Sequence, residues 1–250
     1  MGEIQIHSYG CTDSGKYRLV NEDYINMNEF LFVLADGMGG HNAGDIASNL
    51  AVETIMREID YNIINKEEFT KNNTQIERYI QEAIQKTNDT VLEESRQHVA
   101  YQGMGTTLVL ATYQPPYTIH IANIGDSRGY LYRKDRLTQL TQDHSVTAKL
   151  LRNGTITKTE ANKHPYRHHL SQSIGTSETI HPYIDSIIIQ EGDSLLLCSD
   201  GLWNVLSDDE IKKTLQTKKS PKMICKHLIE KAKAFDSKDN ISSIVINISK

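Results

Sequence analysis

The chain has 250 residues, 38% of them hydrophobic, which is enough for one large domain with a full core and short for two ordinary ones. Its 27 Lys and Arg against 32 Asp and Glu give a net charge of −5, excluding a broad electrostatic footprint for nucleic acid or an anionic membrane; the apolar share excludes disordered and collagen-like classes. Three cysteines, Cys11, Cys198 and Cys225, without a C-x-x-C pair, exclude a disulfide framework and a zinc ribbon and fit a reducing, cytoplasmic setting.

The leading residues MGEIQIHSYG lack a basic stretch followed by an apolar one, so neither export nor membrane attachment is expected. The apolar run at 30–35 predicts a buried strand that delivers Asp36 at its C-terminal edge. Ile46, Leu50, Ile55 and Ile59 recur at helical spacing and predict a helix over 43–59; Ile76, Ile80, Ile84 and Val91 predict a second from Thr74 to about His98. Three β-rich segments at 106–113, 117–124 and 128–133 predict an antiparallel meander. Residues 145–180 are polar, hold Gly154 and Pro165 and lack a long regular pattern, which predicts a flap over one edge. Strands follow within 183–200, then a helix at 207–215 with capping-box spacing from Ser207 to Glu210, a helix opened by Pro221 running to about Phe235, and a closing strand at 241–249. Strands grouped between helix pairs, rather than alternating with single helices, argue for an α+β domain over 1–250 with antiparallel sheets covered by helices.

Five strings carry the chemistry: RLVNED (18–23), ADGMGGH (35–41), IGDSRGYL (124–131), CSDGLW (198–203) and KDNISS (238–243). Four place an acid at or beside a predicted strand end, and three follow that acid with Gly or Ser. A strand fixes the carboxylate, and a glycine lets a backbone carbonyl or an anion come close. Any one Asp-Gly alone reads as a turn. Together, oxygen-only ligands select hard cations such as Mg2+ or Mn2+, and gathered carboxylates repel one another unless cations lie among them. Two bridged cations would also activate a shared water and draw in a phosphate dianion, for which Arg18 offers a planar two-pronged donor. The residues therefore point to metal-assisted phosphoester hydrolysis without a covalent intermediate.

The order and wording of these strings, with GTT (105–107) and LTQDHS (140–145), resemble the metal-dependent type 2C protein serine/threonine phosphatases in their compact bacterial form, from about Ile4 to Ile248. The resemblance implies a layered α-β-β-α sandwich of two antiparallel sheets flanked by helix pairs. It implies two Mn2+ or Mg2+ ions bridged by Asp36, with the Gly37 carbonyl on the second, Asp200 and Asp239 on the first, and Glu22 acting mostly through water. Asp126, with Asp200, matches the position of a third, looser metal in bacterial relatives. Arg18 would grip the phosphate, and Asp23, Thr106 and Asn240 would orient the ligands. The partners implied are phosphorylated proteins and a cognate bacterial serine/threonine kinase; a monomer is expected. Animal members carry a histidine after the Asp-Gly where this chain has Met38, so a metal-bound water is the first reading for the proton donor and His41 the second.

Three competing patterns fail on their own residues. GCTDSGK (10–16) has the spacing of a phosphate-binding loop, but Tyr17 stands where Ser or Thr belongs and no helix follows. None of the cysteines has an arginine six residues on, which excludes a cysteine phosphatase and leaves Cys198 as a core strand residue. His164, His168 and His169 have no companion Cys or spaced acid and read as a solvated flap. A pseudoenzyme of the same fold remains the other functional class; Arg18, Asp36, Asp126, Asp200 and Asp239 occurring together favour the enzyme.

Overall fold

A computed structural model describes residues 4–39, 43–59, 72–217 and 219–249. In chain order the elements are β1 (Gln5–Asp13), β2 (Asp23–Met27), β3 (Leu31–Met38), α1 (Gly44–Ile59), α2 (Asn73–Gln97), β4 (Gly105–Thr106), β5 (Leu108–Gln114), β6 (Thr118–Ile124), β7 (Arg128–Arg133), β8 (Arg136–Gln139), α3 (Val146–Arg152), α4 (Lys158–Lys163), β9 (Tyr183–Ile188), β10 (Ser194–Cys198), α5 (Asp200–Trp203), α6 (Asp208–Leu215), α7 (Pro221–Ala234) and β11 (Ile241–Ser249). One antiparallel sheet has the order β2-β3-β5-β6-β9, with β4 paired to β3; the other runs β1-β11-β10-β7-β8.

Period-two alternation produces the layers. On β3, Leu31, Val33 and Ala35 face α1 and α2, while Phe32 and Leu34 face the other sheet. On β10, Leu195 and Leu197 meet Phe32 and Leu34 between the sheets, while Leu196 and Cys198 turn outward to α6 and α7. Three apolar layers thus separate four layers of secondary structure, the α-β-β-α sandwich expected. Each fully buried aliphatic side chain in these layers contributes about 1.5–3 kcal/mol.

The helices follow their sequence signals closely. Asn72 caps α2, Ser207 and Glu210 form the capping box of α6, and Pro221 opens α7. The stripe Ile76, Ile80, Ile84 and Val91 is buried. On α1 the fully buried stripe is instead Ala47, Ala51, Val52, Ile55 and Ile59, with Ile46 and Leu50 at its edge, because small residues let the helix lie close on the sheet. Among the described residues no helix is long and apolar enough to cross a membrane.

The meander is corrected. β5 and β6 form a hairpin, but β7 leaves that sheet and pairs with β10 and β8 in the other. The crossing is made at Gly125, whose φ of +94° suits glycine, so Asp126 stands at the corner between the two sheets. β1 and β2 were not signalled by their composition; β1 becomes a strand by pairing along its whole length with β11, from Gln5 opposite Ser249 to Asp13 opposite Ile241. The 145–180 segment holds two short helices, α3 and α4, capped by Ser145 and Thr157.

His120 of β6 is fully buried; its Nε2 meets Gln114 Oε1 at 2.8 Å, while its Nδ1 and the hydroxyl of Thr112, directly opposite in register, lack hydrogen-bond partners. Burial pushes its pKa down to about 4. The unfolded chain, titrating near 6.5, binds a proton that the folded chain refuses, so this contribution is complete above about pH 6.5 and is lost as pH falls toward 4. We expect His120→Asn to remove this contribution, so that the wild-type protein loses up to about 3 kcal/mol relative to the variant across that window, read as the difference between the two melting-temperature profiles. Identical slopes for the two proteins between pH 6.5 and 4.5 would rule this out.

Candidate active site

The acids of the two facing sheets come within one another's field. Asp36 lies within β3, which continues through Gly37 and Met38 because these pair with Thr106 and Gly105 of β4; Asp23 is opposite Asp36 on β2. Asp200 begins α5 just after β10, and Asp239 lies just before β11, the strand beside β10. Asp126 arrives at the sheet-crossing corner.

Two glycines permit the approach. A Cβ on Gly37 would stand 2.1 Å from the Gly44 carbonyl oxygen and 2.6 Å from that of Glu22. One on Gly201 would stand 1.9 Å from the Asn240 carbonyl oxygen, so only glycine lets the Asp200 turn lie against Asp239 and Asn240. Gly201→Ala is expected to destabilise the fold by roughly 1–3 kcal/mol and to weaken Mn2+ activation of hydrolysis, since backbone, not a flexible side chain, must move. Unchanged thermal stability and an unchanged Mn2+ titration would contradict this packing.

The electrostatics are those of crowded carboxylates. Asp36, Asp126 and Asp200 keep some accessible surface but are enclosed by protein on most sides. Burial, then the charges of Asp23, Asp200, Asp126 and Asp239, holds Asp36 well above the usual carboxylate range. Burial and Asp200 push Asp126 up to about 8; burial and Asp239 push Asp200 up to about 6, against a hydrogen bond with Asp36 and the charge of Arg18. Burial also raises Glu22, whose carboxylate accepts the Gly44 amide at the start of α1. Among the described residues no three His, Cys, Asp or Glu side chains already close on one point at ligand distance. The donor set nonetheless fits hard cations: it is all oxygen, gathered at a cost in desolvation and mutual repulsion that divalent charge would relieve.

Hydrogen bonds fix these acids from behind. The Asp36 amide donates to Thr107 Oγ1 at 3.0 Å, and its carbonyl accepts from Thr106 Oγ1 at 2.8 Å and the Thr107 amide at 2.9 Å. Thr107 Oγ1 is 2.7 Å from Ser127 Oγ, linking Asp36 to the Asp126 corner. Ser199 Oγ donates to Asp23 Oδ2 at 2.8 Å, leaving Asp23 Oδ1 buried without a partner. Asn240 accepts the Glu22 amide and donates to the carbonyls of Ser14 and Val20, pinning the loop that carries Arg18 to the start of β11. Arg18 is half-exposed and spends one nitrogen on Asp239 Oδ2 at 2.9 Å; the other guanidinium donors are available in number for phosphate.

Sequence reasoning passed over the support of Asp126. Arg128 is held by both Asp143 oxygens, reaches Tyr130 Oη at 3.0 Å and lies 3.4 Å from the Trp203 ring centroid; Trp203 Nε1 donates to the Asp126 carbonyl at 3.0 Å. The residues stood inside the quoted strings IGDSRGYL, LTQDHS and CSDGLW, but nothing in their spacing announces that they touch. The 145–180 segment is tied to β4 through Thr106 and Ile174, whose amides and carbonyls exchange bonds of 3.0 and 2.8 Å. His168 of this segment lies within electrostatic reach of Asp239. His41 lies outside the described residues.

A model of the family described as Protein phosphatase 2C matches residues 16–232. The chain belongs to the protein phosphatase 2C family. It is similar to the serine/threonine phosphatase stp of Listeria monocytogenes serotype 4b (strain F2365), at 36% identity over 251 residues covering 96% of this chain and 95% of that protein. Among solved structures it is similar to the Mycobacterium tuberculosis serine/threonine phosphatase PstP/Ppp, with a TM-score of 0.88 and 30% identity over 98% of this chain and 99% of that one. A similar catalytic domain of PstP, solved in complex with 2 manganese ions, has a TM-score of 0.85 and 29% identity over 99% of this chain and 100% of that one.

Proposed function

We propose that this protein phosphatase 2C member hydrolyses phosphoserine and phosphothreonine in proteins, using two Mn2+ or Mg2+ ions. The observation that carries the reading is the convergence of Asp36, Asp126, Asp200 and Asp239, half-buried carboxylates within one another's field, beside the Arg18 guanidinium, which lies 2.9 Å from Asp239. Asp36 with the Gly37 carbonyl, Asp200 and Asp239 would hold the two cations, with Glu22 alongside and Asp126 sharing a third, weaker ion with Asp200. When bound, the cations supply an activated water and neutralise charge on the phosphate. The chain's own residues do the rest. Arg18 orients phosphate oxygens, Thr106 and Thr107 hold Asp36 at a set angle, and Asn240 keeps the Arg18 loop against Asp239.

The same reading takes residues 1–250 as one catalytic domain, monomeric and cytoplasmic, with the 145–180 segment as a flap that tunes access, opposing a serine/threonine kinase. The Thr106–Ile174 bonds and the reach of His168 to Asp239 support the flap's placement beside the site. His41 is kept as the alternative proton donor to water.

The test is hydrolysis of p-nitrophenyl phosphate and a phosphothreonine peptide with Mn2+, with and without chelator. Both activities are expected with Mn2+ and neither with excess chelator. Chelator-resistant turnover would overturn the metal-dependent reading, and no turnover with Mn2+ present would leave only a pseudoenzyme. His41→Ala that slows both substrates equally, or neither, removes His41 from proton donation.

A further inference from the structure

On the outer face of the second sheet two thiols meet. Cys11 of β1 is half-buried, Cys225 of α7 is buried, and both belong to the apolar layer between that sheet and α6 and α7. The Cys225 sulfur lies 3.4 Å from the Tyr9 carbonyl oxygen of β1, and 3.1 and 3.0 Å from the carbonyl and hydroxyl oxygens of Ser243. Ser243 is directly opposite Cys11 in the β1–β11 register, so helix and strand present their sulfurs over the same part of the sheet, in one apolar layer. Lys222 and Lys226 of α7 add positive charge, Lys222 lying 5.5 Å from the Tyr9 ring centroid.

The geometry points to Cys11 and Cys225 as a reversible oxidation site for hydroperoxides, with Cys11 the attacking thiolate and Cys225 the resolving thiol. The neighbouring Cys225 thiol, with Lys226 and Lys222, brings Cys11 down to about 7 against the opposing push of burial. Cys225 is pushed up by the neighbouring Cys11 thiol and by burial, and Cys198, enclosed in β10, is pushed up by burial first and by the charges of Asp143, Asp200 and Asp208, against that of Arg128. A half-exposed thiol that titrates near ambient pH and shares one apolar layer with a second thiol has the attributes of a redox-sensing pair. In the first step the Cys11 thiolate attacks the terminal peroxide oxygen; an S–O bond forms, the O–O bond breaks, and the alkoxide leaves as alcohol after taking a proton. In the second, the Cys225 sulfur attacks the Cys11 sulfenic acid; the S–S bond forms, the S–O bond breaks, and hydroxide departs as water with the Cys225 proton. Two thiols are oxidised by two electrons and one hydroperoxide is reduced to alcohol and water.

The experiment uses the full chain. Before oxidation, Cys11 should be alkylated at pH 7 about tenfold faster than Cys225 or Cys198. After treatment with hydrogen peroxide, peptide mapping should show a Cys11–Cys225 crosslink, a mass loss of two hydrogens, Cys198 still reduced, and full reversal by dithiothreitol. Cys225→Ala should accumulate Cys11 sulfenic acid, trapped by a dione reagent; Cys11→Ala should leave Cys225 reduced. No crosslink within the wild-type chain, crosslinks only between chains, or oxidation of Cys198 before Cys11 would overturn the proposal. Because the mapping is made on the wild-type protein, a variant that fails to fold leaves it decisive.

Discussion

Asp36→Asn is expected to lower Mn2+-dependent turnover by roughly 10²–10³-fold or more while making the chelated protein more stable, by roughly 1–3 kcal/mol near pH 8. The two effects share one cause. Asp36 is a carboxylate held well above its usual range by burial and by four neighbouring acids, so its charge is unfavourable in the folded chain until divalent charge balances it. An amide of the same shape removes that charge and can donate to Asp200 without first acquiring a proton. The pH dependence has a definite sign. Carboxylates with raised folded pKa values contribute stability below their unfolded pKa, near 4, and lose it as pH rises through the folded values, about 6 for Asp200, about 7 for Asp23 and about 8 for Asp126. In chelator the wild-type melting temperature should therefore decline from pH 5 to 9, and decline less steeply in Asp36→Asn. Turnover loss accompanied by destabilisation at pH 8 would mean that Asp36 is a structural acid.

Arg128→Ala is the substitution with the largest expected cost in stability, about 3–5 kcal/mol, or about 10 °C or more in melting temperature. Arg128 and Asp143 side chains are only 18% and 12% exposed, and the guanidinium contacts both Asp143 oxygens. Truncation leaves Asp143 as a charge without its partner and takes the cation from the face of Trp203. Arg128→Lys should recover little, because an ammonium offers neither the two-pronged fork nor the flat stack. The site should feel the loss through Asp126, whose charge Arg128 offsets and whose carbonyl Trp203 holds. A fall in melting temperature of less than about 2 °C, read by calorimetry, would show the pair to be replaceable; Asp143→Leu in the Arg128→Met background then separates lost pairing from a stranded charge.

Much was legible because its cause is local. The α2 stripe, the Ser207–Glu210 box and Pro221 act within one or two turns of helix, so they appear in the structure where the residues place them. Antiparallel sheets covered by helices followed from the grouping of strands between helix pairs, and the layered order from the family resemblance. What misled was equally specific. β7 looked like the third strand of a meander because its composition says strand but not which sheet; its partners, β8 and β10, are chosen by the Gly125 corner and by Leu131 meeting the inter-sheet core. On α1 the predicted helix forms, and Ala47, Ala51 and Val52 join Ile55 and Ile59 in its buried stripe while Ile46 and Leu50 pack at the edge.

The sequence by itself determined the identity of the acids and their strand-end placement, since Asp and Gly have chemical and conformational properties that do not depend on neighbours distant in the chain. Only the tertiary structure decided which acids share one field, that Arg18 rests on Asp239, that Arg128 and Trp203 stand behind Asp126, and that Cys11 meets Cys225. Those are contacts between residues far apart in sequence, set by sheet register and by the meeting of two sheets. Coulomb forces and hydrogen bonds act over ångströms in space, and spacing along the chain carries no record of them.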